Sequence, residues 1–177
     1  MLPDRLRLPL RFDAGALAAE AQAFPESRWE RHFNTAYYEG DWSGIALRAT
    51  GGHLSLYSDP AAGAAGFADT PALAQSPALR AALAAFGCPL TSARLLRLGA
   101  GARILEHRDY NIGVEFLLDD CVLAMQPGEC WYVDVTRRHQ VINPGPAARI
   151  HLVIDCVVDA WLRALFAQAA GAEVLFV

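Results

Sequence analysis

Three residues in the second half of the chain have side chains that could bind a metal ion together. His107 and Asp109 are two positions apart in EHRDYNIGVEF, which is typical of a β-strand, so both side chains are expected on one face. His139 follows in TRRHQVINPG, a stretch that is predicted to be a loop after a strand. Two histidines and one carboxylate are the ligand set of non-heme Fe(II) sites, which leave positions for O₂ and a bidentate co-substrate.

Arg149 supplies a cation for such a co-substrate. It lies ten residues after His139, beyond the turn NPGPAA, at the start of the predicted strand RIHLVID. Its planar guanidinium suits a carboxylate. A metal with a nearby arginine is what 2-oxoglutarate needs, because one end chelates iron and the distal carboxylate pairs with the arginine. An isolated His-x-Asp pair is a common surface pattern, whereas the ordered set of three ligands and an arginine is much more specific.

Further polar residues are candidates for binding. His151 shares a face with Arg149 and is predicted either to line the co-substrate pocket or to be a hydrogen-bonded core histidine. Asn34, Trp42 and Arg48, in HFNTAYYEGDWSGIALR, are candidates for the substrate mouth. Aromatic residues in strands most often belong to the core, so Trp42 has a structural interpretation as well.

The elements that must position these residues are short strands with helices around them. Helices are predicted at FDAGALAAEAQAF, SPALRAALAAFG and DAWLRALFAQAAG, with Asp13, Ser76 and Asp159 as N-caps. Residues 59–75 are predicted to be a loop, and GGHLSLYS a strand. From Thr91 onward, evenly spaced strands with turns between them favour a β-barrel or a double-sheet jelly roll. The prediction is one domain over residues 1–177.

Composition narrows the class of protein. The chain has 177 residues, 54% hydrophobic and 19% charged, which excludes a disordered chain. A net charge of −4 argues against nucleic-acid binding. No apolar run suits a signal peptide or a membrane span, and the four cysteines show no CxxC pair, so a reduced cytoplasmic protein is expected. The sequence leaves the oligomeric state open.

The motifs that carry this chemistry also resemble a known family. HRDY, MQPGECWYVDVTRRHQVINPG and RIHLVIDCVVDAW resemble the aspartyl/asparaginyl β-hydroxylase family of Fe(II)/2-oxoglutarate dioxygenases, and the likeness runs from about residue 26 to 166. The resemblance implies a distorted double-stranded β-helix, a cupin-like jelly roll with flanking α-helices. It implies iron held by His107, Asp109 and His139, and 2-oxoglutarate held by Arg149. The expected reaction consumes O₂ and hydroxylates an unactivated C–H of a free amino acid or a peptidyl side chain. Because Asp109 is present, the chain in this respect resembles the bacterial members, including the free-proline cis-4-hydroxylases, more than members that lack the carboxylate ligand.

One stretch departs from the family pattern. Bacterial relatives have a longer segment after HRDY, with a strand of Arg-x-His pattern, where this chain has only Asn111 and Ile112. Either a strand is lost or a segment is omitted. An opened sheet would leave backbone groups unpaired, so the sequence favours an interruption of the chain between Tyr110 and Val114. Two other interpretations stay open: a cupin-type metalloenzyme that does not use 2-oxoglutarate, and a non-catalytic small-molecule-binding domain.

Overall fold

The computed structural model describes residues 4–53, 55–56, 62–108 and 123–173. The described chain is mainly β, and every strand pairing in it is antiparallel. The strands are β1 (Arg5–Arg11), β2 (Glu30–Arg31), β3 (Tyr38–Glu39), β4 (Trp42–Thr50), β5 (Phe67–Asp69), β6 (Leu90–Leu98), β7 (Arg103–His107), β8 (Glu129–Val133), β9 (His139–Ile142) and β10 (Arg149–Cys156).

These strands form three sheets. The five-stranded sheet has the order β10-β6-β4-β2, with β5 also on β4; the three-stranded sheet has the order β3-β7-β9, and β1 pairs with β8. Side chains from all three sheets meet in one cluster, which we name the intersheet core. This arrangement is jelly-roll-like, as expected, and it is not a closed barrel. The intersheet core consists of Tyr38, Trp42, Leu96, Leu98, Ala102, Ile104, Val133, Val141 and Val153.

The opposite face of the five-stranded sheet packs against helices. On β6, Leu96 points into the intersheet core while its neighbour Leu95 joins a second cluster with residues of the helices, which we name the helix-side core. This alternation follows from the two-residue period of a strand. The helices are α1 (Ala14–Ala23), α2 (Pro71–Ala74), α3 (Pro77–Ala84) and α4 (Ala160–Glu173). The helix-side core consists of Ala21, Ile45, Leu47, Ala72, Leu73, Leu79, Leu83, Ala93 and Leu95.

Two of the three predicted N-caps are confirmed. The Ala16 N–H donates to Asp13 at 3.0 Å, and the Leu162 N–H donates to Asp159 at 3.0 Å. Ser76 stands at the N-cap of α3, but its hydroxyl donates to the Ala72 carbonyl instead. The carboxylate of Glu20, from α1, accepts the two free N–H groups at the start of α3, at 2.7 and 2.9 Å. The N-terminus of α3 is therefore capped by a side chain of α1, which connects the two helices. The spacing of residues near α3 does not predict this cap.

Other local predictions need correction. Gly51 and Gly52 form a turn with positive φ angles of 63° and 71°, so the described start of GGHLSLYS is not a strand. The region predicted to be a loop contains β5 and α2, which cover the end of β4. His139 is the first residue of β9 rather than part of a loop. Strand β1 was missed, although Leu6 and Leu8 alternate with arginines and are buried.

Three cysteines lie beneath α4. Cys88, Cys130 and Cys156 are free thiols in or against a cluster that includes Leu162 and Phe166. Burial raises the pKa of Cys130 to about 12, which keeps this thiol protonated and unreactive at neutral pH. In the described part of the chain, no helix is long and apolar enough to cross a membrane.

Candidate metal and co-substrate site

The two candidate histidines are paired across neighbouring strands. In the register of β7 with β9, His107 lies opposite His139, and Ile104 lies opposite Val141. Three residues of β7 therefore match two of β9, so β7 contains an irregularity of the bulge type. Bulges re-aim side chains and are common beside active sites. The bulge in β7 places the His107 side chain on the same face as Ile104. The imidazole centroids of His107 and His139 lie 4.2 Å apart.

Backbone carbonyls select one tautomer of both histidines. His107 Nδ1 lies 2.7 Å from the Leu105 carbonyl, and His139 Nδ1 lies 3.0 Å from the Arg137 carbonyl. A carbonyl can only accept, so Nδ1 carries the hydrogen in each ring. In the neutral ring the lone pair is then on Nε2, and metal-ligating histidines are oriented by this kind of contact. Two neutral imidazoles with Nε2 lone pairs are donors of a type that suits a divalent metal ion.

The third predicted ligand, Asp109, lies outside the described residues. So does the stretch Tyr110–Val114, for which an interruption of the chain is predicted. Among the residues that the structure does describe, no group of three or more His, Cys, Asp or Glu side chains could hold a metal. The described part of the site is thus a histidine pair at the end of β7, immediately before the predicted carboxylate.

Arg149 and His151 lie side by side on β10. They alternate with residues of the helix-side face and share their own face with Val153, a member of the intersheet core. The Arg149 guanidinium donates to His151 Nε2 at 2.9 Å and to the Ile142 carbonyl at 3.2 Å. Ile142 belongs to β9, so this arginine links the strand of His139 to the five-stranded sheet.

A buried asparagine fixes the spacing between these strands. Asn143 follows β9 and is only 2% exposed. Its amide nitrogen donates to the carbonyls of Leu98, Gly99 and Ala147, at 3.0, 2.9 and 2.8 Å. These carbonyls belong to the turn between β6 and β7 and to the turn before β10. Asn143 therefore fixes the position of the end of β9 relative to the start of β10. This role was not predicted from the sequence.

A cleft of about 910 Å³ runs along β10. It is lined by Arg149 and His151, and by Trp131 and Val133 of β8. The described lining does not include the two candidate metal ligands. Asp155, at the far end of β10, also lines the cleft and pairs with Arg94 at 2.8 Å. The cleft thus offers one cationic end, at Arg149, and walls that are largely apolar.

Glu129 anchors the strand that forms the other wall of the cleft. It accepts from the backbone N–H of Gln126 at 3.1 Å, from the Trp131 indole at 2.9 Å, and from Arg11 at 3.1 Å. These donors favour the ionised carboxylate and lower the pKa of Glu129 to about 2. The contact to Trp131 orients an indole that packs against the intersheet core.

The three substrate candidates lie in different surroundings. Trp42 is 7% exposed in the intersheet core, and its buried indole nitrogen has no hydrogen-bond partner among the described residues. Arg48 pairs with Asp69 at 2.6 Å and donates to two backbone carbonyls, which ties β4 to its neighbours. Asn34 precedes a short helical turn at Thr35–Tyr37 that leads to the histidine pair. All three assignments to the substrate mouth stay predictions.

The same turn brings an aromatic ring to the candidate site. The Tyr37 ring lies nearly parallel to that of His107, at 13° and a centroid distance of 5.6 Å. Tyr37 was not among the residues predicted from the sequence for this site. The doublet Tyr37–Tyr38 was the available signal, since one residue of a doublet on an extended segment points inward; Tyr38 is buried and Tyr37 is 46% exposed.

Comparison with known proteins decides the family. The family model for aspartyl/asparaginyl beta-hydroxylase matches residues 11–158. The chain belongs to this family. The matched range contains the histidine pair, Arg149 and every other candidate site residue. A search among curated proteins found no match. The resemblance inferred from HRDY and the later motifs is therefore confirmed at the level of a hydroxylase family.

Proposed function

We propose that this member of the aspartyl/asparaginyl beta-hydroxylase family is an Fe(II)- and 2-oxoglutarate-dependent dioxygenase. It hydroxylates an unactivated C–H bond of a free amino acid or a peptidyl side chain. The observation that carries the proposal is the histidine pair. His107 and His139 face each other in register, and a backbone carbonyl holds Nδ1 of each. The chain also belongs to a hydroxylase family.

His107, His139 and Asp109 would hold the iron. When bound, iron supplies the activation of O₂ that the removal of an unactivated hydrogen requires. The protein's part is to fix the ligands before the metal arrives. The bulge in β7 and the two Nδ1 contacts do this for the histidines. Asp109 is proposed from its spacing to His107 alone.

Arg149 would bind the distal carboxylate of 2-oxoglutarate. Its guanidinium lies on the interior face of β10, and His151 accepts one of its N–H groups and orients the fork. The bond from Arg149 to the Ile142 carbonyl holds the guanidinium beside the last residue of β9, the strand that begins at His139. This placement supports a co-substrate that reaches from the metal to Arg149.

Trp42 supports a polar ligand inside the intersheet core. Its indole N–H is buried among apolar side chains and has no partner in the described part of the chain. A buried donor without a partner costs about 1–3 kcal/mol. In register, Trp42 lies opposite Leu98, and Leu98 lies opposite Arg149. A co-substrate or substrate oxygen bound in this row would satisfy the donor.

Succinate production tests the proposal. The purified protein is incubated with Fe(II), ascorbate, O₂ and 2-oxoglutarate, with and without a panel of free amino acids, and succinate is measured. We expect iron-dependent succinate formation that one amino acid or peptide stimulates. The variant His139→Ala should lose both succinate formation and Fe(II) binding.

The alternatives give different results in the same assay. A cupin-type enzyme would bind metal but form no succinate, and Arg149→Lys would leave its behaviour unchanged. A non-catalytic binding domain would form no succinate under any condition, and His139→Ala would not alter its ligand binding. Either result would overturn the proposed reaction.

A further inference from the structure

The two candidate iron ligands differ in how they are held. His139 is 3% exposed and sits at the start of β9, enclosed by protein. His107 is only half-buried and ends β7. The half-buried ring of His107 therefore has surface that a further side chain can cover.

Tyr37 covers part of this surface by stacking. Its ring is tilted by 13° from the His107 ring at a centroid distance of 5.6 Å. This is the offset parallel geometry that aromatic pairs prefer, and such pairs are stabilising beyond their buried area. The ring contact covers part of an imidazole that the strand itself leaves half-buried.

The backbone places Tyr37 at this position. The Tyr37 N–H donates to the Asn34 carbonyl at 3.2 Å and closes the short helical turn. The next residue, Tyr38, pairs with Ile104 of β7. Tyr37 is thereby fixed relative to the strand that ends at His107. Yet 46% of its surface is exposed, so burial of the ring in a core does not explain its position.

We propose that Tyr37 is a positioning residue for the metal site, which rests on the function proposed above. Its ring holds the plane of the His107 imidazole and keeps water from the covered face. It thereby protects the contact between His107 Nδ1 and the Leu105 carbonyl, which selects the metal-binding tautomer. The ring performs this role, and the phenolic hydroxyl does not take part.

The chain contains a matched control four positions before Tyr37. Phe33 is also an exposed aromatic residue, at 63%, and it also stacks on a histidine. That histidine is His32, at 4.6 Å and 22°. Phe33 therefore has the same type of contact in the same segment, but its partner is not a candidate ligand. A general effect of losing an exposed aromatic ring would appear equally in both variants.

Metal affinity without turnover tests the role of Tyr37. Anaerobic Fe(II) titration by calorimetry, and the visible spectrum of the Co(II)-loaded protein, are measured for the wild type, Tyr37→Ala, Tyr37→Phe and Phe33→Ala. Loss of a hydrogen-bonded outer partner of a ligating histidine lowers metal affinity by about 10- to 100-fold, and a stacked ring supports the histidine less directly. We expect Tyr37→Ala to fall about 10-fold, near the lower end, and to alter the Co(II) spectrum. Tyr37→Phe and Phe33→Ala should stay within about twofold of wild type, since each keeps the ring on His107.

Two results would overturn the inference. One is an unchanged affinity in Tyr37→Ala, and the other is an equal loss in Phe33→Ala. If Tyr37→Ala does not unfold cooperatively, Tyr37→Leu takes its place with the same expectations. The variant His139→Ala separates this inference from the proposed function. If His139→Ala abolishes Fe(II) binding while Tyr37→Ala does not change it, only the role of Tyr37 fails; if His139→Ala binds as wild type does, the proposed function fails too.

Discussion

The two faces of strand β10 show how this fold separates stability from chemistry. Ile150, Leu152 and Ile154 pack against the helix-side core and are partly buried. Arg149 and His151 alternate with them on the other face, and residues of both faces line the cleft. One strand therefore contributes to an apolar core and to a polar site at the same time.

The difference follows from what covers each face. On the helix side, α1, α2 and α3 contribute buried residues to an apolar cluster, and a charged group buried in that cluster would cost several kcal/mol. On the intersheet side, several polar side chains have partners within the described structure. His151 accepts from Arg149, and Asp155 pairs with Arg94. Substitutions on the helix side should thus change stability alone, and those on the intersheet side should change stability and ligand binding.

The largest expected effect comes from neighbouring leucines on β6. Leu95 is 2% exposed in the helix-side core, and Leu96 is 8% exposed in the intersheet core, opposite His151 in register. Each change to alanine should lower the free energy of unfolding by about 2–5 kcal/mol. Only Leu96→Ala should also weaken 2-oxoglutarate binding, because it leaves space beside His151. Urea denaturation and calorimetric titration measure the two properties. Equal effects of both variants on 2-oxoglutarate binding would contradict the division between a stability face and a binding face.

The next effect concerns the asparagine that connects the turns. Asn143→Ala removes the amide that three backbone carbonyls share. An unsatisfied buried group costs about 1–3 kcal/mol, so the free energy of unfolding should fall by at least about that amount. Because the variant also frees β9 from β10, Fe(II) and 2-oxoglutarate binding should weaken together. A variant with wild-type binding and lower stability would show that Asn143 stabilises the fold without aligning the site.

A smaller effect is expected for a change that keeps the charge. Arg149→Lys retains the cation but loses the fork and the contact to His151. A hydrogen bond to a charged group is worth about 1.5–3 kcal/mol, which corresponds to roughly 10- to 100-fold in affinity for 2-oxoglutarate. Affinity for Fe(II) should not change. The control is Arg94→Lys on the same face, which should leave 2-oxoglutarate affinity within about twofold. If Arg94→Lys lowers the affinity for 2-oxoglutarate as much as Arg149→Lys does, Arg149 has no specific role in binding the co-substrate.

The smallest effect is a dependence on pH at the opposite wall of the cleft. The pKa of Glu129 is lowered to about 2 in the folded protein, below its ordinary value of 4.5. Its contribution to stability is therefore complete above pH 4.5 and is lost as the pH falls toward 2. The difference in unfolding free energy between wild type and Glu129→Gln should shrink between pH 5 and pH 3, measured by urea denaturation. A difference that does not vary over this range would contradict the assigned hydrogen bonds.

Several features were predictable because they depend on local patterns. Asp13 and Asp159 cap helices through N–H groups three residues away, so spacing alone locates them. Strand β10 follows from alternating apolar and polar residues, and the shared face of Arg149 and His151 follows with it. The order His-x-Asp, His, Arg indicated a non-heme iron site, and the motifs around these residues showed the resemblance to the hydroxylase family. In each case the information lies within a few residues or in the order of side-chain types.

Other features depend on residues that are far apart in the chain, and only the tertiary structure decided them. The sequence does not show that β7 contains a bulge, because the bulge exists only in its pairing with β9. The carboxylate that caps α3 comes from Glu20, 58 positions before the N–H it accepts. The ring beside His107 comes from Tyr37, and only packing distinguishes it from Tyr38. The sequence thus determined which groups can perform the chemistry. Long-range pairing decided how these groups are held, because the spacing of residues along the chain does not show which strands pair.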